Sequence, residues 1–140
     1  MKKCIFFAFI LITTPLFSQN LELPHYTNES EIIQHIGYVL KYNEEFEQAE
    51  WMAYQLTDIE VNGKYERSDN FRKDPHVSTG SAALSDYKGS GYDRGHLIPA
   101  SDMKWSPDAM SSSFYMSNMS PQDPSFNRGI WKKLEEQIRS

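Results

Sequence analysis

The chain has 140 residues, with 14 basic and 19 acidic side chains and a net charge of −5. That length suffices for one domain with a modest core. The acidic balance disfavours a protein that coats nucleic acid through bulk positive charge. It leaves open an enzyme that meets phosphate with a few placed cations.

Residues 1–19 are predicted to be a secretory signal peptide, and residues 20–140 the mature domain. Two lysines precede an apolar run over residues 5–17, and the sequence then turns polar. The run is too short for a comfortable membrane span, although a retained N-terminal anchor is the alternative. Cleavage removes Cys4, the single cysteine, and takes the net charge to −7. We therefore expect a secreted or periplasmic protein without disulfides, thiolate zinc sites or stable membrane association.

The first half of the chain predicts one short helix and two strands. Residues 28–36 begin with polar capping residues and continue with isoleucines, which indicates a short capped helix. Residues 38–42 and the aromatic-rich segment 51–57 are strand candidates. Asn62-Gly63 is typical of a turn.

The second half predicts a long loop and one clear helix. Residues 66–95 are rich in glycine and serine. A helical turn is expected at 107–110 and a short strand at 114–116, and Pro121 and Pro124 indicate a loop. Residues 127–139 predict the helix, with an apolar stripe facing the core. The stripe residues are Ile130, Trp131, Leu134 and Ile138.

Long polar loops in a small domain are usually functional, so the chemistry is sought over residues 85–140. The chain has no phosphate-binding Gly-x-x-x-x-Gly-Lys-Ser/Thr motif, no Gly-x-Ser-x-Gly and no His-Glu-x-x-His. The four histidines are not paired at the spacing of metal ligands, which disfavours a zinc site.

The first chemical cluster is the segment 91–100, Gly-Tyr-Asp-Arg-Gly-His-Leu-Ile-Pro-Ala. Arg94 can grip phosphate in a forked geometry, and His96 can take a proton from water near neutral pH. Gly95 between them permits a close backbone approach. A lone histidine is more often structural than catalytic, so His96 alone leaves both interpretations open.

The second cluster surrounds the last helix. Asn127 is either the N-cap of that helix or an amide-oxygen ligand for a hard cation. Glu135 lies on the same helix face, where it can reach that ion or pair with Arg139 or Lys132. Tyrosines, phenylalanines and tryptophans such as Phe71 could stack on bases, although core packing is the commoner role.

Together these clusters resemble the DNA/RNA non-specific endonucleases of the ββα-metal class, which includes secreted bacterial nucleases and mitochondrial endonuclease G. Residues 93–96 match the family's Asp-Arg-Gly-His signature. Residues 117–122 and 126–131 match its second block, and weaker similarity extends the resemblance over about 38–139. The resemblance implies an α+β fold with a ββα-metal (His-Me finger) core, a central antiparallel sheet and a catalytic helix at about 127–139.

The resemblance also implies a role for each candidate residue. His96 would be the general base, Asn127 the protein ligand of one Mg²⁺, for which Mn²⁺ can substitute, and Glu135 would hold a metal-bound water. Three arginines and one asparagine complete the set, with catalytic charge neutralisation at Arg94 and substrate binding at the others. The substrate-binding residues are Arg67, Arg139 and Asn118. The partners would be DNA and RNA, held through the phosphate backbone and cleaved to 5′-phosphate ends.

Family members usually continue well beyond the catalytic helix, whereas this sequence stops at Ser140. We therefore expect 20–140 to hold the N-terminal and catalytic part of the domain, with its C-terminal part missing. Two alternatives to the nuclease stay open: an inactive, truncated nucleic-acid-binding module and a phosphodiesterase for small substrates. The oligomeric state is also open, a homodimer included.

Overall fold

The computed structural model describes residues 23–28 and 31–140, so the predicted signal peptide lies outside the described residues. The strands form two antiparallel sheets, one of three strands in the order β1-β2-β3 and one of two strands, β4-β5. The strands are β1 (Ile32–His35), β2 (Tyr38–Asn43), β3 (Gln48–Ala53), β4 (Asp93–His96) and β5 (Met119–Gln122).

Short helices occupy the connections between the strands. They are α1 (Asp58–Val61), α2 (Leu84–Tyr87), a 3₁₀ turn (Ala100–Met103), α3 (Pro107–Ser112) and a second 3₁₀ turn (Met116–Asn118). After β5, α4 (Pro124–Phe126) continues through a π-helical turn (Asn127–Trp131) into α5 (Lys132–Ile138), and the three segments together form the 124–138 helix. Over the described part of the chain, no helix is long and apolar enough to cross a membrane.

The three-stranded sheet carries the main core. Along β2 the side chains alternate, and Tyr38, Leu40 and Tyr42 point inward and are fully or almost fully buried. They pack with Ile98 and Met103 from the middle of the chain. This contact brings the segment that follows His96 against the sheet.

The structure corrects the predicted helix over 28–36. Residues 32–35 form strand β1, which pairs with β2 from Ile32↔Lys41 to His35↔Tyr38, while residues 29–30 are not described. β-branched isoleucines favour a strand once a partner is available, and Gly37 makes the hairpin turn at φ +91°. The strand predicted over 38–42 is confirmed.

Other elements begin or end at different residues from those predicted, because of the capping interactions at helix ends. The second predicted strand runs over 48–53 instead of 51–57, since Thr57 starts α1 through a capping box with Glu60. The Asn-Gly pair accordingly follows the end of α1 rather than joining two strands. The helical turn predicted at 107–110 is confirmed and extends to Ser112, with Ser106 as its N-cap.

Residues 114–116 do not form the predicted strand: Tyr115 makes only an isolated bridge to Arg72, and the strand lies at 119–122. Nor do the prolines make a loop. Pro121 pairs opposite Arg94 in a two-stranded sheet, where a missing N–H is tolerated. Pro124 occupies the first turn of the helix behind the N-cap Asp123.

Strands β4 and β5 and the 124–138 helix form the ββα arrangement that the resemblance implied. Residues 93–96, the Asp-Arg-Gly-His segment, are β4 itself, and Gly95 lies opposite Ser120. A Cβ at Gly95 would come within 2.0 Å of the Gln122 side chain, so a larger residue there would require Gln122 to move. The helix predicted over 127–139 is confirmed and begins three residues earlier.

The apolar stripe of that helix is largely open to solvent in the described structure. Ile130 is 64% exposed, and Leu134 and Ile138 are also exposed. Trp131 is half-buried and donates its indole N–H to the His96 carbonyl at 3.2 Å. The expected burial of this face is therefore seen only at Trp131.

Candidate active site

A cleft of about 440 Å³ gathers six of the seven predicted site residues. It lies where β4 faces the 124–138 helix, and the segment around Arg67 closes another side. The six residues are Arg67, Arg94, His96, Asn127, Glu135 and Arg139. The seventh, Asn118, does not line it.

Strand geometry explains why two of these residues share the cleft. Side chains alternate along a strand, so Arg94 and His96 project to the same face of β4. Asp93, on the alternate face, reaches the start of the 124–138 helix instead. A four-residue strand thus carries the candidate base and orients the candidate metal ligand.

His96 is 9% exposed, and its Nε2 atom has no hydrogen-bond partner among the described residues. Phe71 and Phe114 contact the imidazole edge-on, with ring centroids 5.8 and 4.9 Å away. Burial, followed by the positive charges of Arg67 and Arg94, lowers the pKa of His96 to about 3. The imidazole is therefore neutral at physiological pH, with an unpaired nitrogen at the cleft.

The two phenylalanine rings that contact His96 each carry one arginine guanidinium group. The Arg94 guanidinium lies 4.5 Å from the Phe71 centroid, and that of Arg67 lies 4.7 Å from the Phe114 centroid. The two rings are packed edge-to-face at 4.9 Å. The two phenylalanines and His96 thus form a three-ring cluster in which each phenylalanine carries an arginine, a role that no sequence motif indicated.

Arg139 is held more firmly than the other two arginines. It donates to the carboxylate of buried Asp102 at 2.7 Å, and the Tyr54 hydroxyl donates to the second oxygen at 2.7 Å. Arg67, by contrast, pairs at the surface with Asp69. One arginine is therefore fixed in the cleft wall, and the other can exchange partners.

Asn127 is oriented by the strand opposite. Its amide nitrogen donates to Asp93 at 3.0 Å, so the amide oxygen is left to act as a ligand. Arg128 binds the same carboxylate in a forked pair at 2.6 and 2.7 Å. Hydrogen bonds from Arg128 and then Asn127 hold the pKa of Asp93 below its usual value.

Asn127 also opens the π-helical turn, which is irregular at Gly129. Such turns occur frequently at functional sites, because they redirect one side chain without ending the helix. The predicted N-cap role belongs to Asp123 instead, whose carboxylate accepts from the backbone of Ser125 and Phe126. The structure thus excludes the N-cap interpretation of Asn127.

Glu135 lines the cleft two helical turns beyond Asn127. Burial raises its pKa, against the lowering effect of Arg139. The alternative prediction for Glu135 was a surface salt bridge to Lys132 or Arg139. Among the described residues, Lys132 pairs with Glu136 and Arg139 pairs with Asp102 instead. An amide oxygen and a carboxylate form a hard oxygen donor set that suits Mg²⁺ or Mn²⁺.

Asn118 departs from its expected place at the substrate. It is fully buried, accepts from the backbone N–H of Ile98 at 2.9 Å, and donates to the carbonyls of Ile98 and Ser113. The side-chain amide of Asn118 therefore makes its hydrogen bonds with the backbone, including that of Ile98 just beyond His96. Its geometry supports a positioning role and not contact with nucleic acid.

A second polar cluster lies outside this cleft. The fold brings His35, Asp74 and His76 together, with one ligand atom of each within 4.8 Å of the others. Their separation along the sequence hid this grouping, which the spacing of the histidines did not predict.

Comparison with known proteins agrees with this geometry. The sequence profile of the DNA/RNA non-specific endonuclease family matches residues 16–140. The chain is 41% identical over 106 residues to mitochondrial endonuclease G of Homo sapiens, covering 74% of this chain and 36% of that protein. It is 41% identical over 104 residues to a nuclease of Nostoc sp., covering 73% and 38%.

A crystal structure of the EndoG/EndoGI complex superposes with a TM-score of 0.73 at 33% identity. The match covers 78% of this chain and 46% of that one. The chain therefore spans less than half the length of these relatives.

Proposed function

The chain belongs to the DNA/RNA non-specific endonuclease family, and from that premise we propose that it is a metal-dependent endonuclease of DNA and RNA. It would hydrolyse phosphodiester bonds to leave 5′-phosphate ends. One observation carries the proposal: a buried, neutral His96, whose Nε2 has no hydrogen-bond partner among the described residues, lines a cleft that also holds three arginines, Asn127 and Glu135.

His96 is the proposed general base. A neutral imidazole can accept a proton from the attacking water, provided the histidine remains unprotonated at working pH. The low pKa of free His96 makes it a weak base, and two arginines contribute to this. Bound phosphate offsets their charge, so we expect the pKa of His96 to rise when substrate enters and its basicity to increase with it.

The arginines are proposed to neutralise the phosphate. Arg94 and Arg67 lie on the two phenylalanine rings that contact His96, and Arg139 is bound to Asp102. Guanidinium groups bind phosphate oxygens in a forked geometry and stabilise the charge that develops during attack. Contacts of this kind read the backbone rather than the bases, which accounts for low sequence selectivity.

Asn127 and Glu135 are proposed to hold the metal ion, Mg²⁺ with Mn²⁺ as a substitute. The amide of Asn127, oriented by Asp93, would present its oxygen to the ion, and Glu135, which lines the same cleft, would hold an ion-bound water. Mg²⁺ keeps several waters and needs few protein ligands, so this small donor set fits. When bound, the ion supplies Lewis-acid stabilisation of the leaving 3′-oxygen.

The test is nicking of supercoiled plasmid, with cleavage of single-stranded RNA in parallel. We expect cleavage with Mg²⁺ or Mn²⁺, none with EDTA, and a loss of about 10²- to 10⁴-fold in His96→Ala. His25→Ala, which alters an exposed histidine outside the cleft, is the matched control. Nucleic-acid binding without cleavage by a folded chain would favour the binding-module alternative and contradict the proposal.

Export is a separate proposal, supported by the basic start and apolar run of residues 1–19. Expression in a Gram-negative host should place the processed chain in the periplasm or medium. Mass spectrometry of that material would locate the new N-terminus near residues 18–20. An intact Met1 on a cell-associated chain would contradict export.

A further inference from the structure

The cluster of His35, Asp74 and His76 is built from two parts of the chain that are distant in sequence. His35 ends β1, while the other two residues lie in the connection that follows Arg72. His35 Nε2 lies 2.8 Å from an Asp74 carboxylate oxygen, and their side chains are 2% and 0% exposed. A buried imidazole–carboxylate pair thus joins the first hairpin to the middle of the chain.

The surrounding structure fixes this pair tightly. The Ser117 hydroxyl donates to the same carboxylate oxygen of Asp74, and the backbone N–H of His76 donates to the other at 2.9 Å. The Asp74 backbone N–H in turn donates to the Ser81 hydroxyl at 2.8 Å. The Asp74 carboxylate cannot turn away without breaking three hydrogen bonds. The His35 ring is held by its bond to Asp74 and by contacts with the rings of Tyr38 and Tyr115.

His76 is the exposed member of the set. Its ring stacks on His35 with centroids 4.8 Å apart, and the residue is exposed. Within residues 23–28 and 31–140, its imidazole has no hydrogen-bond partner, so only the ring contacts with His35 and Tyr115 oppose its rotation. A cleft of about 460 Å³ opens beside both histidines, and it shares no lining residue with the nuclease cleft.

We propose that His35, Asp74 and His76 form a second metal site, which binds Zn²⁺. Two imidazoles and a carboxylate are ligands that zinc takes readily, and three protein ligands leave its fourth position for water from the cleft. Mg²⁺ prefers oxygen ligands and is disfavoured by this donor set. The site is therefore chemically distinct from the oxygen donors at Asn127 and Glu135.

The geometry requires only a small adjustment. Ligand bonds of about 2.0–2.1 Å in a tetrahedral site put neighbouring ligand atoms roughly 3.4 Å apart. The His35 and Asp74 atoms, now 2.8 Å apart, would separate slightly as the ion replaces their shared proton. The His76 nitrogen would approach by rotation of its exposed ring.

The expected consequence is structural. The ion would tie β1 to the segment around residue 74 and, through Ser117, to the 3₁₀ turn that precedes β5. Binding to the folded chain alone stabilises that chain by mass action. Zinc should therefore raise the melting temperature without being needed for cleavage of nucleic acid.

The test compares three proteins in calorimetric titration and thermal melting: the wild-type chain, His76→Ala and His25→Ala. With ZnCl₂ in the presence of excess Mg²⁺, the wild type should bind one equivalent and its melting temperature should rise by several degrees. His76→Ala, which alters an exposed side chain and should fold normally, should lose the shift and bind at least tenfold more weakly. His25→Ala should behave as the wild type.

Two results would overturn the proposal. One is a folded wild-type chain that binds no zinc in the calorimeter. The other is binding that persists unchanged in His76→Ala, which would place the ion elsewhere, such as at the nuclease cleft. Because His76 lies outside that cleft, neither result depends on whether the chain cleaves nucleic acid.

Discussion

The side-chain amide of Asn127 donates to the carboxylate of Asp93, 3.0 Å away, across the junction of β4 and the 124–138 helix. The first residue of the Asp-Arg-Gly-His segment thus orients the candidate metal ligand, while the last residue is the candidate base. The same carboxylate also binds Arg128. Through Asp93, one short strand sets the relative placement of the candidate base and the candidate metal ligand.

We expect Asp93→Ala to raise the Mg²⁺ concentration needed for half-maximal cleavage. Without its acceptor, the Asn127 amide can rotate and offer its nitrogen in place of its oxygen. Loss of such a supporting hydrogen bond typically costs about 10- to 100-fold in metal affinity or activity. A Mg²⁺ titration of plasmid nicking measures the effect.

Arg128→Ala is the matched control, since it breaks the ion pair with Asp93 but keeps the bond from Asn127. Its half-maximal Mg²⁺ concentration should change much less. Asp93→Ala removes a negative charge and Arg128→Ala a positive one, so a charge effect would shift the two variants in opposite directions. Equal shifts in the same direction would show that the Asp93–Arg128 ion pair, and not the hydrogen bond to Asn127, supports metal binding.

The pH dependence of stability follows from His96. Its pKa is about 3 in the folded chain and 6.5 without the fold, because burial disfavours the charged imidazole. Between these values the unfolded chain binds a proton that the folded chain does not, so the free energy of unfolding falls as the pH is lowered below 6.5. One such group contributes up to about 1.4 kcal/mol per pH unit.

Urea unfolding in EDTA at pH 7 and pH 5 checks this expectation. Wild type should lose about 2 kcal/mol more between the two pH values than His96→Gln. The comparison cancels the other three histidines, which both proteins share. Identical pH slopes would mean that His96 is not held neutral by the fold.

Sequence reasoning found the chemistry of the cleft more readily than its framework. His96, Arg94, Asn127 and Glu135 belong to short motifs whose residue types carry their own chemical meaning, and the fold gathers them. Phe71 and Phe114 belong to no motif that indicates a function, because an aromatic side chain suits the hydrophobic core as well as a functional site. Their contacts with His96 exist only once residues 71, 96 and 114 meet in space.

The wrong predictions of secondary structure have a common physical origin. Local preference suggested a helix over 28–36, but pairing with β2 made residues 32–35 a strand. Proline suggested a loop at 121 and 124, where an unpaired edge and a helix start accept it. Both outcomes depend on partners far along the chain, which a local pattern does not contain.

The contacts of Phe71 and Phe114 with His96 give a third prediction. Phe71→Leu should lower kcat/KM for plasmid cleavage by about tenfold, because it removes the ring that supports Arg94 and contacts His96. Leucine retains most of the apolar volume, so the fold should survive. Steady-state kinetics and a thermal melt separate the two effects.

Phe46→Leu, at an exposed turn outside the cleft, is the corresponding control. It should leave kcat/KM unchanged. A Phe71→Leu protein with wild-type kinetics would show that the ring only fills space.

Asn118→Ala should destabilise the fold by about 3 kcal/mol. The substitution leaves the Ile98 N–H and the carbonyls of Ile98 and Ser113 without their partners in a fully buried place, and each such group costs about 1–3 kcal/mol. Urea unfolding measures the loss, with exposed Asn70→Ala as the control. If Asn118 instead bound substrate directly, Asn118→Ala would keep wild-type stability and lose only affinity for nucleic acid, which would refute the positioning role.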